Sequence, residues 1–318
     1  ARRVIYESEI VFTPLLDTET IDAQRLAAII QGEYQKAGVS PAQVETGAVI
    51  ITGETAKKKN ADIILQSIAD LAGDFVCTIA GPHVESMISG RGSGAAAYAR
   101  EHFTTVTNVD IGGGSANLAV FKLGSLAASA AMNFGGRMVI LEPTSGKIVH
   151  LAAPALLMLD YLNLNLRVGD IPALADLARL TAAMADLTVE LIEGSRSSLA
   201  AKLYLTPPTP ISGKGRTLMF SGGIGYYYYH PIPLTNLKDV TLHGDIGPLL
   251  ALSLREHPAL RAYSIVEPAE TLHATVLGAS AQHITLSGST IWAEPGLLPL
   301  KNIPVIRTDL NESSLAPQ

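Results

Sequence analysis

The feature that most constrains the fold of this chain is a run of three glycines set between two β-type segments at residues 104–121. Apolar, β-favouring residues lead into the glycines and resume after them, which predicts a strand, a tight turn and a second strand. Asp110 then lies at the mouth of the hairpin, and Ser115 comes after the turn. The glycines of the turn are Gly112, Gly113 and Gly114.

The chemistry that such a turn favours is the binding of a metal-bound polyphosphate. Glycine has no Cβ, so its backbone can take a positive φ and bring N–H groups close to a ligand. Those amides suit phosphate oxygens, while Mg²⁺ takes hard oxygen ligands such as the Asp110 carboxylate, often through water. An ordinary flexible hairpin explains the same glycines equally well, so spacing alone leaves both interpretations open.

Two familiar nucleotide motifs are excluded by the residues after the glycines. The segment is not a dinucleotide-binding fingerprint, because a β-type run rather than a helix comes next. It is not a Walker loop, because the glycines do not lead into a Gly-Lys-Ser/Thr sequence.

Composition limits the class of protein. A chain of 318 residues that is 47% hydrophobic and 16% charged is expected to form two soluble domains with large cores. The longest apolar run, residues 151–159, is too short to span a bilayer and contains Pro154. A net charge of −6 gives no footprint for nucleic acid, and the single cysteine, Cys77, excludes internal disulfides and cysteine-based metal clusters.

The first hundred residues read as alternating strands and helices, which predicts an α/β sheet with crossover helices. The predicted strands cover residues 3–13, 48–51 and 75–79, and the predicted helices cover residues 21–37 and 55–71. A further helix begins near Pro82 and ends near Gly90. We expect the domain boundary near residues 100–105, which gives domains of 1–104 and 105–318.

The second half contains another candidate ligand turn. A buried strand at residues 217–220 runs into Ser221, Gly222 and Gly223, and open α/β sheets bind ligands at such carboxyl ends. The tyrosines at residues 226–229 are expected mostly on a loop surface. The other predicted elements are a strand at residues 127–134, helices at 173–193 and 270–282, and a helix that opens within residues 244–249 and runs to about His257.

Several of these segments resemble one ATPase superfamily. Asp-Ile-Gly-Gly-Gly-Ser at residues 110–115 resembles the second phosphate-binding hairpin of the actin, heat-shock chaperone and sugar kinase ATPases. Residues 221–225 resemble their adenosine motif, and the helices near 82–90 and 270–282 resemble their two connecting helices. Within the superfamily, nearly the whole chain resembles the ethanolamine ammonia-lyase reactivating factors.

The resemblance implies a two-domain, actin-like α/β fold of the ribonuclease H-like type, with ATP and Mg²⁺ bound in the cleft between the domains. Asp110 would be the catalytic residue and would bind Mg²⁺ through water. The nucleotide would be contacted by Gly112, Gly113, Gly114, Ser115, Gly222 and Gly223.

The chain also departs from the superfamily pattern. An Asp-x-Gly-Thr first phosphate loop, expected before residue 1, does not occur in these residues, and we expect weak nucleotide affinity without it. Gly81 stands where chaperone-type relatives have an acidic residue, so that role is either absent or taken by Glu85. Glu85 and His83 are equally typical of a hinge surface. Arg137 is more typical of a surface residue than of a phosphate ligand, and Asp245 is more typical of a helix cap than of a catalytic group.

The function implied by the resemblance is ATP-driven reactivation of ethanolamine ammonia-lyase. Domain motion would open the lyase, so that damaged cobalamin leaves and intact adenosylcobalamin enters. The partners would be the lyase, ATP or ADP, and further copies of this chain, with no nucleic acid or membrane. The location would be the cytoplasm, either free or associated with a bacterial microcompartment.

Two alternatives stay open. A small-molecule kinase of the same superfamily would need a catalytic base and an acceptor pocket, and the sequence offers no convincing candidate for either. A non-hydrolysing actin-like scaffold is the other, because the first phosphate loop does not occur among these residues.

Overall fold

The computed structural model describes residues 5–9, 11, 13–17, 20–44, 47–51, 59–60, 75–79, 81–209 and 217–280. Before the first connecting helix it contains α1 (Ala23–Ala37), β1 (Gly47–Ile51) and β2 (Phe75–Ile79). The later elements are α2 (Pro82–Gly92), α3 (Ala95–Glu101), β3 (Thr105–Ile111), β4 (Ala116–Lys122), β5 (Ser125–Met132), β6 (Val139–Leu141), β7 (Ile148–Leu151), α4 (Ala153–Tyr161), α5 (Leu174–Glu193), α6 (Ala200–Leu203), β8 (Thr217–Ser221), α7 (Gly222–Tyr229), α8 (Leu237–Val240), α9 (Gly247–Glu256), β9 (Ser264–Ile265) and α10 (Ala274–Ser280).

The amino-terminal elements keep the predicted order, with one exception. Helix α1 begins after Asp22, whose side chain accepts a hydrogen bond from the N–H of Arg25, and ends at Gly38 in the left-handed conformation. Strands β1 and β2 pair in parallel. The strand predicted at residues 3–13 is wrong for residues 5–9, which are largely exposed and pair with no described strand. Of the helix predicted at residues 55–71 only residues 59 and 60 are described, and they form a turn; the rest lies outside the described residues.

The central element is a five-stranded sheet in the order β5-β4-β3-β8-β9. Strands β3, β4 and β5 form an antiparallel meander, and β8 and β9 extend it in parallel with β3. A meander continued by parallel strands in this order makes a mixed α/β sheet of the ribonuclease H-like type. The α/β fold class predicted from the sequence is therefore confirmed. The domain boundary at residues 104 and 105 stays a prediction.

The larger core lies on one face of this sheet. Helix α5 ends at Gly194, which is left-handed, and it buries one apolar stripe formed by Leu177, Leu180, Met184, Leu187 and Leu191. The stripe packs, together with α9, against side chains from β3, β4 and β8 such as Val109, Leu118 and Phe220. Each fully buried side chain of this size contributes roughly 1.5–3 kcal/mol.

The opposite face of the sheet is covered by α2 and α3. Ala95 and Ala99 of α3 pack against Val106 and Phe121 in a smaller apolar cluster. Gly90 of α2 lies directly on the same surface, because a Cβ added there would come within 2.5 Å of the Phe121 ring. Helix α2 therefore needs a glycine where it crosses strand β4.

Helices α2 and α10 cross with their backbones in contact. A Cβ on Gly92 would lie 1.7 Å from the carbonyl oxygen of Ala274, and a Cβ on Gly278 would lie 1.9 Å from that of Ile88. Small residues at the crossing, Gly92, Ala274 and Gly278, therefore allow the two helices to approach backbone to backbone. The described helix begins at Ala274 rather than at residue 270. Within the described ranges, no helix has both the length and the apolar character needed to cross a membrane.

Candidate functional site

A row of polar side chains lies on the face of the sheet that α2 covers. Side chains alternate along a strand, so Asn108 and Asp110 of β3 share one face. Asn117 of β4 and Ser221 of β8 are the direct cross-strand partners of Asp110 and lie on that face too. All four are buried, with Asp110 only 7% exposed. Register therefore gathers four polar groups from three strands at the hairpin end of the sheet.

Three of these residues form a directed hydrogen-bond chain. The Ser221 hydroxyl donates to Oδ1 of Asp110 at 2.6 Å, and Nδ2 of Asn108 donates to the Ser221 oxygen at 3.0 Å. An ionised carboxylate only accepts, so it fixes the Ser221 proton and leaves the serine oxygen to accept from Asn108. Burial raises the pKa of the Asp110 carboxyl to about 6, and the bond from Ser221 opposes that shift. The carboxylate is thus held in one orientation.

The burial of Asp110 corrects an expectation. A strand-end carboxylate at a hairpin mouth is expected to be exposed, yet this one lies inside the sheet. The reason is that β3 is a central strand, paired with β4 on one side and β8 on the other.

The glycine turn is held by a second glycine turn. The N–H of Gly136 donates to the carbonyl of Gly112 at 3.0 Å, and the N–H of Arg137 donates to that of Gly113 at 2.8 Å. A Cβ on Gly135 would lie 2.6 Å from the Gly112 oxygen, so only glycine fits there. Both carbonyls are engaged, while the N–H groups of Gly113 and Gly114 have no backbone partner within the described ranges. The turn therefore offers N–H groups, as a phosphate site requires.

The turn between β8 and α7 approaches the hairpin from the other side. Gly222 has a φ of 78°, and a Cβ there would lie 2.4 Å from the carbonyl oxygen of Ile111. Its N–H donates to the carbonyl of Thr271, just before α10. Gly223 differs, because nothing lies within 4 Å of the position its Cβ would take. Gly222 thus closes the contact with β3, and Gly223 faces open space.

The four tyrosines after this turn were predicted mostly on a loop surface, but they lie on helix α7. The Tyr229 hydroxyl donates to the carbonyl of Val266 at 2.9 Å and accepts from the N–H of Phe220 at 3.0 Å. The Tyr228 ring packs on the Phe220 ring, with centroids 4.7 Å apart. The rings of Tyr228 and Tyr229 are partly buried against the core, and the Tyr229 hydroxyl is hydrogen-bonded on both sides, so this run packs as a helix rather than lying on a loop surface.

The segment just before α9 brings the carboxylate of Asp245 to the glycine turn that carries Arg137. Ile246 donates its N–H to the carbonyl of Gly136 at 3.1 Å, and Asp245 accepts from the N–H of Gly247, the first residue of α9, at 2.8 Å. The N-cap residue of α9 is Ile246 rather than Asp245, but the Asp245 side chain still accepts from a free N–H of the first turn, which is the kind of bond predicted for it. Burial raises the pKa of Asp245, opposed by the Gly247 N–H and by Arg137. Burial lowers the pKa of Arg137, opposed by Asp245. Burial is thus the main cause of both shifts, and the charge of each group partly offsets the shift of the other.

The sequence model of the family described as ethanolamine utilisation protein EutA matches residues 1–317. The chain belongs to the EutA family. It is 39% identical over 304 residues to the Salmonella typhimurium protein described as ethanolamine ammonia-lyase reactivase EutA, and over 305 residues to the Escherichia coli protein of the same description. Each match covers 96% of this chain but 64% of the relative, so the chain spans less than two thirds of their length.

Solved structures give weaker likenesses. A Ppx/GppA family member from Aquifex aeolicus matches with a TM-score of 0.46 and 12% identity, over 81% of this chain and 80% of that one. The ethanolamine utilisation protein EutJ from Carboxydothermus hydrogenoformans matches with a TM-score of 0.38 and 14% identity, over 84% and 77%. Likenesses this low support no statement about what this chain does.

In this EutA-family chain the residues predicted for the site lie close to one another. Asp110 is hydrogen-bonded to Ser221, and Gly222 closes against the end of β3 that leads into the glycine turn. Ser115 is buried, and its oxygen accepts from Nδ2 of Asn117 at 3.1 Å. The roles of these residues toward a nucleotide stay predictions.

The hinge residues singled out in the sequence lie on the first turn of α2. The His83 ring is hydrogen-bonded to the hydroxyl of Ser129 on β5. Glu85 is buried, at 8% exposure, and Gly81 precedes the helix. Because Glu85 is buried, it is not a hinge-surface residue. That it takes the role of the acidic group absent at Gly81 stays a prediction.

Sequence reasoning missed Asn108, Asn117 and the role of Ser221. A signal for Asn108 was available, because it stands two residues before Asp110 on the same predicted strand. Nothing local could show Ser221 beside Asp110, since that contact depends on which strands pair. The same holds for Gly135, whose partners, Gly112 and Gly113, lie on a different hairpin.

The residues present fit Mg²⁺ with phosphate better than a metal held by the protein alone. No group of three or more His, Cys, Asp or Glu side chains that could hold a metal occurs in the described part of the chain. The buried Oδ1 atoms of Asn108 and Asn117 have no hydrogen-bond partner among the described residues. Hard oxygens beside one carboxylate suit a hydrated Mg²⁺ whose other ligands come from the nucleotide.

Proposed function

We propose that this protein binds ATP with Mg²⁺ at the Asp110 site and takes part in the ATP-dependent reactivation of ethanolamine ammonia-lyase. The observation that carries the proposal is the family membership, together with 39% identity to two proteins described as reactivases of that lyase. The geometry supports the nucleotide part, because two glycine turns and a buried carboxylate converge on one point.

Each part of the site has a distinct task in this proposal. The N–H groups of Gly113 and Gly114 would bind phosphate oxygens, and the open space beside Gly223 would receive the nucleoside. Asp110, held by Ser221, would orient water bound to the metal. Mg²⁺, when bound, neutralises phosphate charge and holds those waters.

The connecting helices give a route by which the nucleotide could bias the domains. Helix α2 contacts the hairpin strands through Gly90 on Phe121, and Gly222 is hydrogen-bonded to Thr271 just before α10. A nucleotide that fits one arrangement of α2 and α10 better than another shifts the population toward that arrangement. We propose that this motion opens the lyase, so that damaged cobalamin leaves and adenosylcobalamin enters. Because the protein would have to contact the lyase, we propose that it works where the lyase is kept, including a bacterial microcompartment.

The test is recovery of inactivated ethanolamine ammonia-lyase. Lyase holding damaged cobalamin is incubated with adenosylcobalamin, Mg²⁺ and this protein, with ATP, with ADP or without nucleotide. We expect activity to return with ATP, to return far less with the Asp110→Asn variant, and to return fully with Asp160→Asn, a control at an exposed carboxylate on α4.

Other outcomes identify other functions. ATP-independent recovery, or recovery unaffected by Asp110→Asn, would refute the proposed role of the site. Transfer of phosphate from ATP to a member of a metabolite panel would indicate a small-molecule kinase. Nucleotide binding with neither recovery nor transfer would indicate a scaffold.

A further inference from the structure

We propose that Arg137 is the cation that recognises the phosphate chain of the nucleotide, and that Asp245 holds its guanidinium when no phosphate is bound. This inference rests on the proposed nucleotide site and deepens it. It assigns a specificity role to two residues that local sequence patterns favour as a surface arginine and a helix cap.

The first support is the position of the Arg137 side chain. A Cβ built on Gly113 would lie 2.9 Å from Cδ and 3.0 Å from Cγ of Arg137, so the arginine stem lies against the middle glycine of the turn. The N–H of Arg137 donates to the Gly113 carbonyl at 2.8 Å. Backbone and stem together fix the root of the side chain beside the N–H groups proposed to bind phosphate.

The second support is the geometry that brings Asp245 to the same point. Ile246 donates to the Gly136 carbonyl, and a Cβ on Gly136 would lie 3.0 Å from the Cα of Gly247. The segments carrying Arg137 and Asp245 are therefore in backbone contact. One carboxylate oxygen of Asp245 already accepts from the Gly247 N–H at 2.8 Å, so this acid is held still while it attracts the guanidinium.

The third support is the match between the groups and a phosphate chain. A guanidinium presents planar, paired N–H donors that suit phosphate oxygens, and it stays charged when partly buried. Arg137 is partly buried, where charge interactions are less screened than in water. A triphosphate carries more negative charge than one carboxylate, so it competes with Asp245 for the arginine. Asp245 thus acts as an internal stand-in for the ligand.

The experiment measures affinity for ATP and for adenosine by calorimetry in Mg²⁺. Arg137→Met keeps the unbranched stem that lies on Gly113 and removes the charge. We expect it to weaken ATP roughly 10- to 100-fold and to leave adenosine within about twofold, because a charged hydrogen bond is lost only where phosphate is present. Arg137→Lys is expected to recover part of the loss, since it restores charge without the planar fork. Arg179→Met is the matched control, because this exposed arginine donates to the Leu162 carbonyl away from the site.

A second variant tests the stand-in. Asp245→Asn keeps an oxygen for the Gly247 N–H but removes the charge, so ATP is expected to bind roughly 3- to 10-fold more tightly. In the double variant Arg137→Met, Asp245→Asn that gain should vanish, since the two changes act on one interaction.

Each result decides between the claims. Unchanged ATP affinity in Arg137→Met, with the parent binding ATP, overturns the role of Arg137 and leaves the proposed nucleotide site intact. An equal loss of ATP and adenosine, or a lowered melting temperature, shows that Arg137 only supports the fold. A persistent gain from Asp245→Asn in the double variant overturns the stand-in. A parent that binds neither ligand overturns the nucleotide site and this inference with it.

Discussion

The crossing of α2 and α10 allows the packing argument to be tested at one atom. Gly278 lies in the interior of α10, and a Cβ there would meet the Ile88 carbonyl oxygen at 1.9 Å, the Ile88 carbonyl carbon at 2.7 Å and the Gly92 nitrogen at 3.0 Å. All three obstacles are backbone atoms, so no change of side-chain rotamer can relieve them. Gly278→Ala therefore forces the two helices apart.

The magnitude can be worked from the distance. An ordinary carbon–oxygen contact is roughly 3.3 Å, so the helices must separate locally by more than about 1 Å. Overpacking of a close contact costs about 1–3 kcal/mol, and a backbone obstacle places this change at the upper end. Alanine regains about 1 kcal/mol through its better helix propensity. The expected net loss is about 2 kcal/mol, or about 3 °C in melting temperature for a chain of 318 residues.

The assay is thermal and urea unfolding of the parent, Gly278→Ala and Gly32→Ala. Gly32 lies in the interior of α1, where nothing is within 4 Å of the Cβ position. The control should therefore gain stability, by about 0.5–1 kcal/mol. If Gly278→Ala proves as stable as Gly32→Ala, the backbone contact between α2 and α10 is not tight and the reasoning fails.

The remaining predictions concern the site. Because burial raises the pKa of Asp110 to about 6, folding takes up a proton between about pH 4 and pH 6, so stability falls as pH rises through that window. Asp110→Asn should remove this pH dependence of stability and should be about 2–3 kcal/mol more stable than the parent at pH 7, as measured by urea unfolding. The variant should also bind Mg²⁺-ATP more weakly. A variant with the pH profile of the parent would refute the burial argument. Ser221→Ala should weaken Mg²⁺-ATP with little effect on adenosine, both measured by calorimetry, and equal effects on the two would deny it a role in orienting Asp110. Gly223→Val should fold normally and lower the affinity for adenosine, because its side chain fills open space. Gly222→Ala should instead lower the melting temperature, because its Cβ meets the Ile111 backbone. The opposite result for the two variants would exchange the roles of the two glycines.

Much of the fold could be predicted because its signals are local. The glycine triplet, the apolar stripe of α5 and the left-handed glycines after α1 and α5 each depend on a few neighbouring residues. The strand predicted at residues 3–13 is wrong for residues 5–9 because the local residue pattern shows only that a strand is allowed. A strand forms where a partner strand pairs with it, and residues 5–9 have none among the described residues.

The residues of the candidate site could be selected from the sequence, but the contacts between them could not be predicted from it. Asp110 and the glycines of both turns were candidates because a carboxylate beside a glycine turn suits a metal-bound phosphate and because both segments resemble motifs of the ATPase superfamily. Their mutual contacts depend on the pairing of β3 with β8, which sets Ser221 opposite Asp110 across more than a hundred residues. The same pairing buries Asp110, which changes its pKa and its expected effect on stability.

The construction of this site explains why side-chain motifs say so little about it. Its segments meet through backbone, with Gly135 against the Gly112 turn, Gly136 against Gly247, and Gly222 against Ile111. Contacts of this kind exclude side chains, so a ligand is left with N–H groups plus a few charges from the flanking positions. One carboxylate inside the sheet and one arginine beside the turn give a site with both signs of charge. A ligand that satisfies both at once is a polyanion that arrives with its own cation, which is the form in which Mg²⁺-ATP binds.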